Sequence, residues 1–196
     1  MLVSLFNFSV KLEAQTPNSF KKYSESPPPI TSLEEAVLKP DSVINLQLQK
    51  EKLDTFPSQI RSFKNLEILD LKKNKLDSIP SWIGELQNLR VLILNKNNII
   101  YLPDEICLLK NLIVLQVSEN DLAEIPVGIN NLSKLEFLDL WSNSFSYLPP
   151  TIEDLKNLKV LDIRLTPTKL EAHDEIREML PNTKVFFSAP CNICAD

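Results

Sequence analysis

The feature that most constrains this chain is a repeat. Pairs of apolar residues two positions apart stand at Leu46/Leu48, Leu69/Leu71, Leu92/Leu94, Leu115/Val117, Leu138/Leu140 and Leu161/Ile163, each pair 23 residues after the last and with no insertion in the series. Other positions keep the same phase. Asparagine follows the first apolar residue by five at Asn74, Asn97, Asn120 and Asn143, and proline follows it by eleven at Pro57, Pro80, Pro103, Pro126 and Pro149. Then come Ile60, Ile83, Ile106, Ile129 and Ile152, and after them Phe63, Leu86, Leu109, Leu132 and Leu155. Leu66, Leu89, Leu112, Leu135 and Leu158 close the units. A fixed period of this length marks a stack of small units that bury their apolar edges only against one another.

The spacing inside one unit dictates its shape. Alternation at Leu69-Asp70-Leu71 turns two side chains inward and one outward, as in a short strand with one buried face. Stacked units then make a parallel sheet. An inward asparagine after each strand can satisfy backbone groups that the bend would otherwise bury unpaired. Beyond it, Pro80 fixes φ at the start of the return segment, and Ile83, Leu86 and Leu89 at three-residue spacing suit a short helical turn on the outer side.

The stretch LDLKKNKLDSIPSWIGELQNLRV, from Leu69 to Val91, resembles the 23-residue type of the leucine-rich-repeat family. That type is common in bacterial repeat proteins and in plant proteins related to the Ras-binding group. The resemblance runs from residue 43 to about residue 165. It implies an α/β leucine-rich-repeat solenoid, a curved right-handed superhelix with a parallel sheet on the concave face and short helices on the convex face. It also implies a non-enzymatic module that binds a protein, although one fold of this kind hosts many partners.

Departures from the pattern mark the ends. Glu51 stands in place of asparagine in the first unit, and Thr166 with Pro167 in the sixth. Residues 1–29 read as a leader or flexible linker, 30–42 as an N-terminal capping helix, 43–168 as about six repeats and 169–196 as a C-terminal cap and tail. Thr31-Ser32-Leu33-Glu34 has a capping-box pattern and Lys39-Pro40 supplies a stop, so a helix is expected over about 32–38. A second helix is expected from Leu170 to Leu180 and a last strand from Lys184 to Phe187.

A partner is expected on the concave face, where the outward strand residues form columns. One column contains Asp70, Ile93, Gln116, Asp139 and Asp162; the next contains Lys72, Asn95, Trp141 and Arg164; Lys73, Lys96 and Glu119 run beside them. In this register Trp141 and Ile93 point away from the core, and tryptophan is a common interface anchor. Lysines on the second and third strands, against Glu119, Asp139 and Asp162 on later ones, would give a face that changes sign along its length. On the outer side, Trp82 is a candidate for a second contact surface.

Several functions are excluded or disfavoured. A net charge of -5 and a pI near 5.1 argue against nucleic acid as partner. Only Gly84 and Gly128 are glycines, so neither a P-loop nor a dinucleotide fingerprint can be assembled, and no cofactor is expected. The single histidine, His173, reads as a solvated helix residue without a catalytic neighbour. Cys191 and Cys194 form a C-x-x-C that reads as inert thiols, as a disulfide in an exported chain, or as a redox or metal pair; the only other Cys or His ligands are Cys107 and His173. No metal site and no transmembrane segment is expected, and the protein is expected to be a monomer.

Residues 2–10 form a short apolar run, and Glu13-Ala14-Gln15 offers a cleavage point, but no basic residue precedes the run. Export is favoured over the cytoplasm on this pattern. Two alternatives accompany protein binding. One is recognition of a glycan or surface polymer, for which Trp141, Tyr101 and Tyr147 supply aromatic groups. The other is a fragment associated with an enzyme, as in repeat-bearing effectors.

Overall fold

The computed structural model describes residues 27–170 and 172–188. Six near-identical turns each contribute a three-residue strand: β1 (Asn45–Gln47), β2 (Ile68–Asp70), β3 (Val91–Ile93), β4 (Val114–Gln116), β5 (Phe137–Asp139) and β6 (Val160–Asp162). A seventh, β7 (Lys184–Phe186), closes a parallel sheet in sequential order. Register is fixed by the repeat: Leu46 pairs with Leu69, Leu69 with Leu92, Leu92 with Leu115, and so on to Leu161. A slip of one residue would turn every core leucine to solvent.

Each return segment is a five-residue 3-10 turn, such as Ser81–Glu85. Proline precedes each one in extended geometry, with φ between -55° and -71°. The three-residue spacing of the apolar positions matches 3-10 periodicity, in which residues i and i+3 lie on one side. Thus Ile83, Leu86 and Leu89 are all buried, and Leu86 and Leu89 donate in sequence to Ile83 O and Leu86 O at 3.1 and 2.9 Å.

The core lies between sheet and turns and is continuous from Ala36 to Leu180. Leu46, Leu69, Leu92, Leu115, Leu138 and Leu161 are completely buried. Columns outside the main pattern also fill it: Leu76, Ile99, Leu122 and Phe145 follow the bend, and Ile79, Leu102, Ile125 and Leu148 precede the prolines.

Asparagine holds adjacent turns in register. Asn97 Nδ2 donates to Leu94 O at 2.8 Å in its own turn and to Leu71 O at 3.2 Å in the preceding one, and its Oδ1 accepts from Leu76 N at 3.1 Å. Asn74, Asn120 and Asn143 repeat the arrangement. In the sixth turn, Thr166 Oγ1 donates to Ile163 O at 2.7 Å and so keeps the bond to its own turn. A second series on the opposite bend had no place in the sequence reading. Asn65, Asn88, Asn111 and Asn157 donate to the carbonyls of Asp41, Lys64, Gln87 and Ser133 in the turn before, at 2.7 to 2.9 Å.

Helix α1 (Leu33–Leu38) lies before the first turn. Its N-cap is Ser32, whose Oγ accepts from Glu35 N at 3.2 Å, so the capping pattern is one residue later than the expected Thr31 start. Ile30 pairs with the outer edge of β1, accepting from Gln47 N and donating to Asn45 O. Helix α2 (Ala172–Met179) precedes β7 and buries Ile176. His173, expected to be solvated, is instead buried, with its ring 4.1 Å from that of Phe187. Trp82 packs against the core, edge-on to Phe56 at 5.4 Å, and is half-buried. Cys191 and Cys194 lie outside the described residues, as does the 1–14 leader.

Candidate functional site

The face of the sheet turned away from the main core carries the strand side chains that alternate with the core leucines. Ile68, Val91, Val114, Phe137 and Val160 precede the core leucines by one residue, so alternation sends them to this face. They stack into a second apolar cluster, buried to 6% exposure or less, with Ile93, Ile113 and Phe186 against it. This column was missed in the sequence, although its signal was present: an apolar residue in constant phase immediately before each strand leucine.

The next column holds Asp70, Ile93, Gln116, Asp139 and Asp162. Ile93 and Gln116 are partly exposed, as expected for residues that meet a partner. The three aspartates differ from expectation. Asp70 is 6% exposed, Asp139 2% and Asp162 0%. Each uses its carboxylate to hold the bend that ends its strand, accepting from the N–H two residues on: Lys72 at 2.9 Å, Trp141 at 3.2 Å and Arg164 at 3.2 Å. That local bond is the aspartate turn expected of this side chain. They are braces of the face, with no carboxylate presented to solvent. Asn95 is corrected in the same way: it is 8% exposed, and its Oδ1 accepts from Ser118 N at 3.1 Å across the strands.

Asp139 and Asp162 are register neighbours on β5 and β6. Arg164 Nε and Nη2 clamp Asp162 at 2.9 and 2.5 Å, and the guanidinium lies 5.5 Å from the Phe186 ring. Burial, reinforced by the adjacent Asp162, pushes the Asp139 carboxyl up to about 7, against the opposing pull of Ser118, the Trp141 N–H and Arg164. Burial likewise raises the Asp70 carboxyl above the usual carboxylate range, despite the Lys72 N–H and a 2.6 Å bond from Gln49 Nε2. Asp139 and Asp162, expected to form the negative end of the face, are thus held within the sheet and not presented to solvent.

What remains accessible is a mixed surface. Trp141, Lys72 and Arg164 are half-buried, Lys73 and Lys96 are exposed, and Glu119 is half-buried and ion-paired with Lys96 at 2.9 Å. Lys73, Lys96 and Glu119 share an unusual backbone: with Lys50, Ser142 and Leu165 they occupy the left-handed region at φ 53° to 63°, one per turn. That conformation turns the chain sharply off the sheet just before the ladder position.

The arrangement offers shape and polarity rather than reactive groups. Cys107 is buried within the 3-10 turn Asp104–Leu108, and burial pushes its thiol up to about 11. No grouping of His, Cys, Asp and Glu able to hold a metal occurs among the described residues, and no helix among them is long and apolar enough to cross a membrane.

The family model for a leucine-rich repeat region matches residues 42–185. The chain belongs to the leucine-rich-repeat family. No curated protein matches it at a significant level. Among solved structures, it is similar to a leucine-rich-repeat protein of Leptospira interrogans at 34% identity and TM-score 0.73, over 78% of this chain and 39% of that one. It is also similar to the ectodomain of the plant membrane receptor kinase GASSHO1/SCHENGEN3 from Arabidopsis thaliana, solved in complex with Casparian strip integrity factor 2. There the identity is 32% and the TM-score 0.59, over 72% of this chain and 17% of that one. Internalin C2 from Listeria monocytogenes, at 23% identity and TM-score 0.65, over 81% of this chain and 67% of that one, shares the fold. The chain thus spans well under half the length of the first two structures.

The fold is the leucine-rich-repeat solenoid, with its parallel sheet on the concave face and short helical turns outside. This family commonly mediates protein–protein interaction, and its members are typically binding scaffolds without enzymatic activity.

Proposed function

We propose that this leucine-rich-repeat chain is a non-enzymatic protein-binding module whose partner lies across the concave face over β2 to β6. The observation that carries this reading is the half-buried pair Ile93 and Trp141, on a face braced from below by Asp70, Asn95, Asp139 and Asp162. Such bracing holds the contact side chains on a rigid sheet, so little ordering entropy is lost on binding. Aromatic and aliphatic anchors ringed by polar groups match the anatomy of a protein interface. Lys72, Lys73, Lys96, Gln116, Glu119 and Arg164 supply that polar ring. We infer also that residues 30–42 and 169–188 act as caps, since a solenoid end must cover its last apolar layer.

The test is affinity capture with three purified proteins: wild type, the variant Trp141→Ala with Lys72→Glu, and Val127→Ala on the convex turns, where Val127 is 68% exposed. A partner held by wild type and Val127→Ala but lost by the concave variant is the expected result. Retention by the concave variant with loss by Val127→Ala would move the site to the outer face.

A further inference from the structure

Cations over much of the described molecule have partners. Arg61 and Lys64 both meet Glu85, Arg90 meets Glu67, Lys96 meets Glu119, Lys159 meets Glu136, and Arg164 meets Asp162. Others, Lys110 and Lys134 among them, make no ion pair among the described residues, and five such lysines gather in the first two turns. Lys50, Lys52, Lys72, Lys73 and Lys75 make no ion pair among the described residues. Lys50 and Lys52 stand one period before Lys73 and Lys75, Lys72 stands where the first turn has Gln49, and the backbone brings them together: Lys50 N donates to Lys72 O at 3.1 Å, and Lys75 N donates to Leu53 O at 2.7 Å. Four are exposed and Lys72 is half-buried.

The backbone aims these side chains. Lys50, Lys52 and Lys73 all sit at positive φ, at 63°, 58° and 61°, where the chain leaves the sheet. A lysine in this region pays a steric cost that glycine would avoid. The result is an ammonium edge along the rim, continuous with the concave face through Lys72. Three carboxylates, Glu51, Asp54 and Asp77, lie in the same turns and pair with none of the five. Asp70, held in the sheet beside Lys72, is a fourth, so on a chain of net charge -5 five lysines against four carboxylates make a local positive excess. Adjacent turns about 4.8 Å apart place like charges within the Debye length, so their repulsion is relieved by an anionic partner.

We infer that this lysine rim docks an acidic segment of the protein partner, its carboxylates running along the rim while its apolar side chains reach the half-buried Ile93 and Trp141. This rests on the concave-face reading and specifies the chemistry of the partner. A protein segment fits because the rim adjoins, through Lys72, the face that bears the half-buried Ile93 and Trp141, side chains that a purely polyanionic chain would leave unused. Charge complementarity of this type sets orientation and association rate.

The test uses the full chain and a fluorescein-labelled glutamate-rich 20-residue peptide as probe, followed by anisotropy at low and high salt. Wild type is expected to bind the peptide with an affinity that falls as salt rises. Lys50→Gln, Lys73→Gln, Lys75→Gln together should weaken it about ten-fold or more, while Lys110→Gln, Lys134→Gln, Lys156→Gln, an equal change of charge elsewhere, should leave it unchanged. Equal weakening by both triple variants would overturn the inference, as would tighter rim-dependent binding of a sulfated oligosaccharide of the same charge. A captured partner lost by Trp141→Ala but held by the rim variant would overturn the acidic segment and leave the concave reading intact.

Discussion

At the residue scale, the polar side chains of the bends hold neighbouring turns together. Asn97 satisfies three backbone groups in two turns, all among buried residues. Leaving a buried donor or acceptor unpaired costs about 1–3 kcal/mol each, so Asn97→Ala should lower stability by at least about 2 kcal/mol in urea unfolding. A loss within about 0.5 kcal/mol would mean that water takes over the ladder. Asp139 gives a pH signature. Its carboxyl is raised from an ordinary value of 3.8 to about 7 in the folded protein, so its contribution to stability is complete below about pH 4 and is lost as pH rises through 7. Asp139→Asn keeps an oxygen for the Trp141 N–H and removes the titration. The difference in melting temperature between variant and wild type should therefore grow in the variant's favour from pH 5 to pH 8; parallel curves would contradict the burial argument. Gly84 shows a closer constraint, since a Cβ there would lie 2.7 Å from Glu105 O. Gly84→Ala should destabilise by about 1–3 kcal/mol through overpacking, whereas alanine at Gly128, where the same atom meets only ordinary contacts at 3.4 Å, should not.

At the scale of the element, strands and turns were legible in the sequence because the core is read by period. Leu69, Leu71, Ile83, Leu86 and Leu89 occur at spacings that only a short strand followed by a three-residue turn can bury together. The candidate face was less legible. Alternation told which side Asp70, Asp139 and Asp162 lie on, but outward on a parallel sheet is not the same as exposed. Register neighbours, the apolar column from Ile68 to Val160 and their own turn bonds cover them. Such crowding depends on what stands 23 residues away on each side, which a single strand does not reveal. His173 failed for a similar reason: the ring of Phe187, beyond the helix and after β7, is what buries it. Core and face should respond oppositely to truncation. Leu115→Ala is expected to cost about 2–5 kcal/mol through an internal cavity, while Trp141→Ala should leave the unfolding midpoint nearly unchanged. A large loss at Trp141 would make it part of the core.

For the whole molecule, stability is distributed over interfaces between turns, so it should depend on the number of turns in a nearly additive way. Deleting residues 92–114 removes exactly one period and joins Val91 to Leu115 in the phase of the repeat. The shortened chain should still unfold cooperatively with native-like circular dichroism, at a lower midpoint. Deletion of 92–110, which breaks the phase by four residues, should abolish that transition, and equal behaviour of the two would show that register is not what holds the solenoid. The same rigidity underlies the proposed function, because a face built on seven paired strands meets its partner without rearrangement. The most direct measurement is amide hydrogen exchange of the full chain with and without a captured protein partner. Slowed exchange confined to the bends after β2 to β6, around Lys72, Asn95, Ser118, Trp141 and Arg164, is the result this account predicts. Slowed exchange on the 3-10 turns from Ser81 to Asp154, with those bends unchanged, would contradict it.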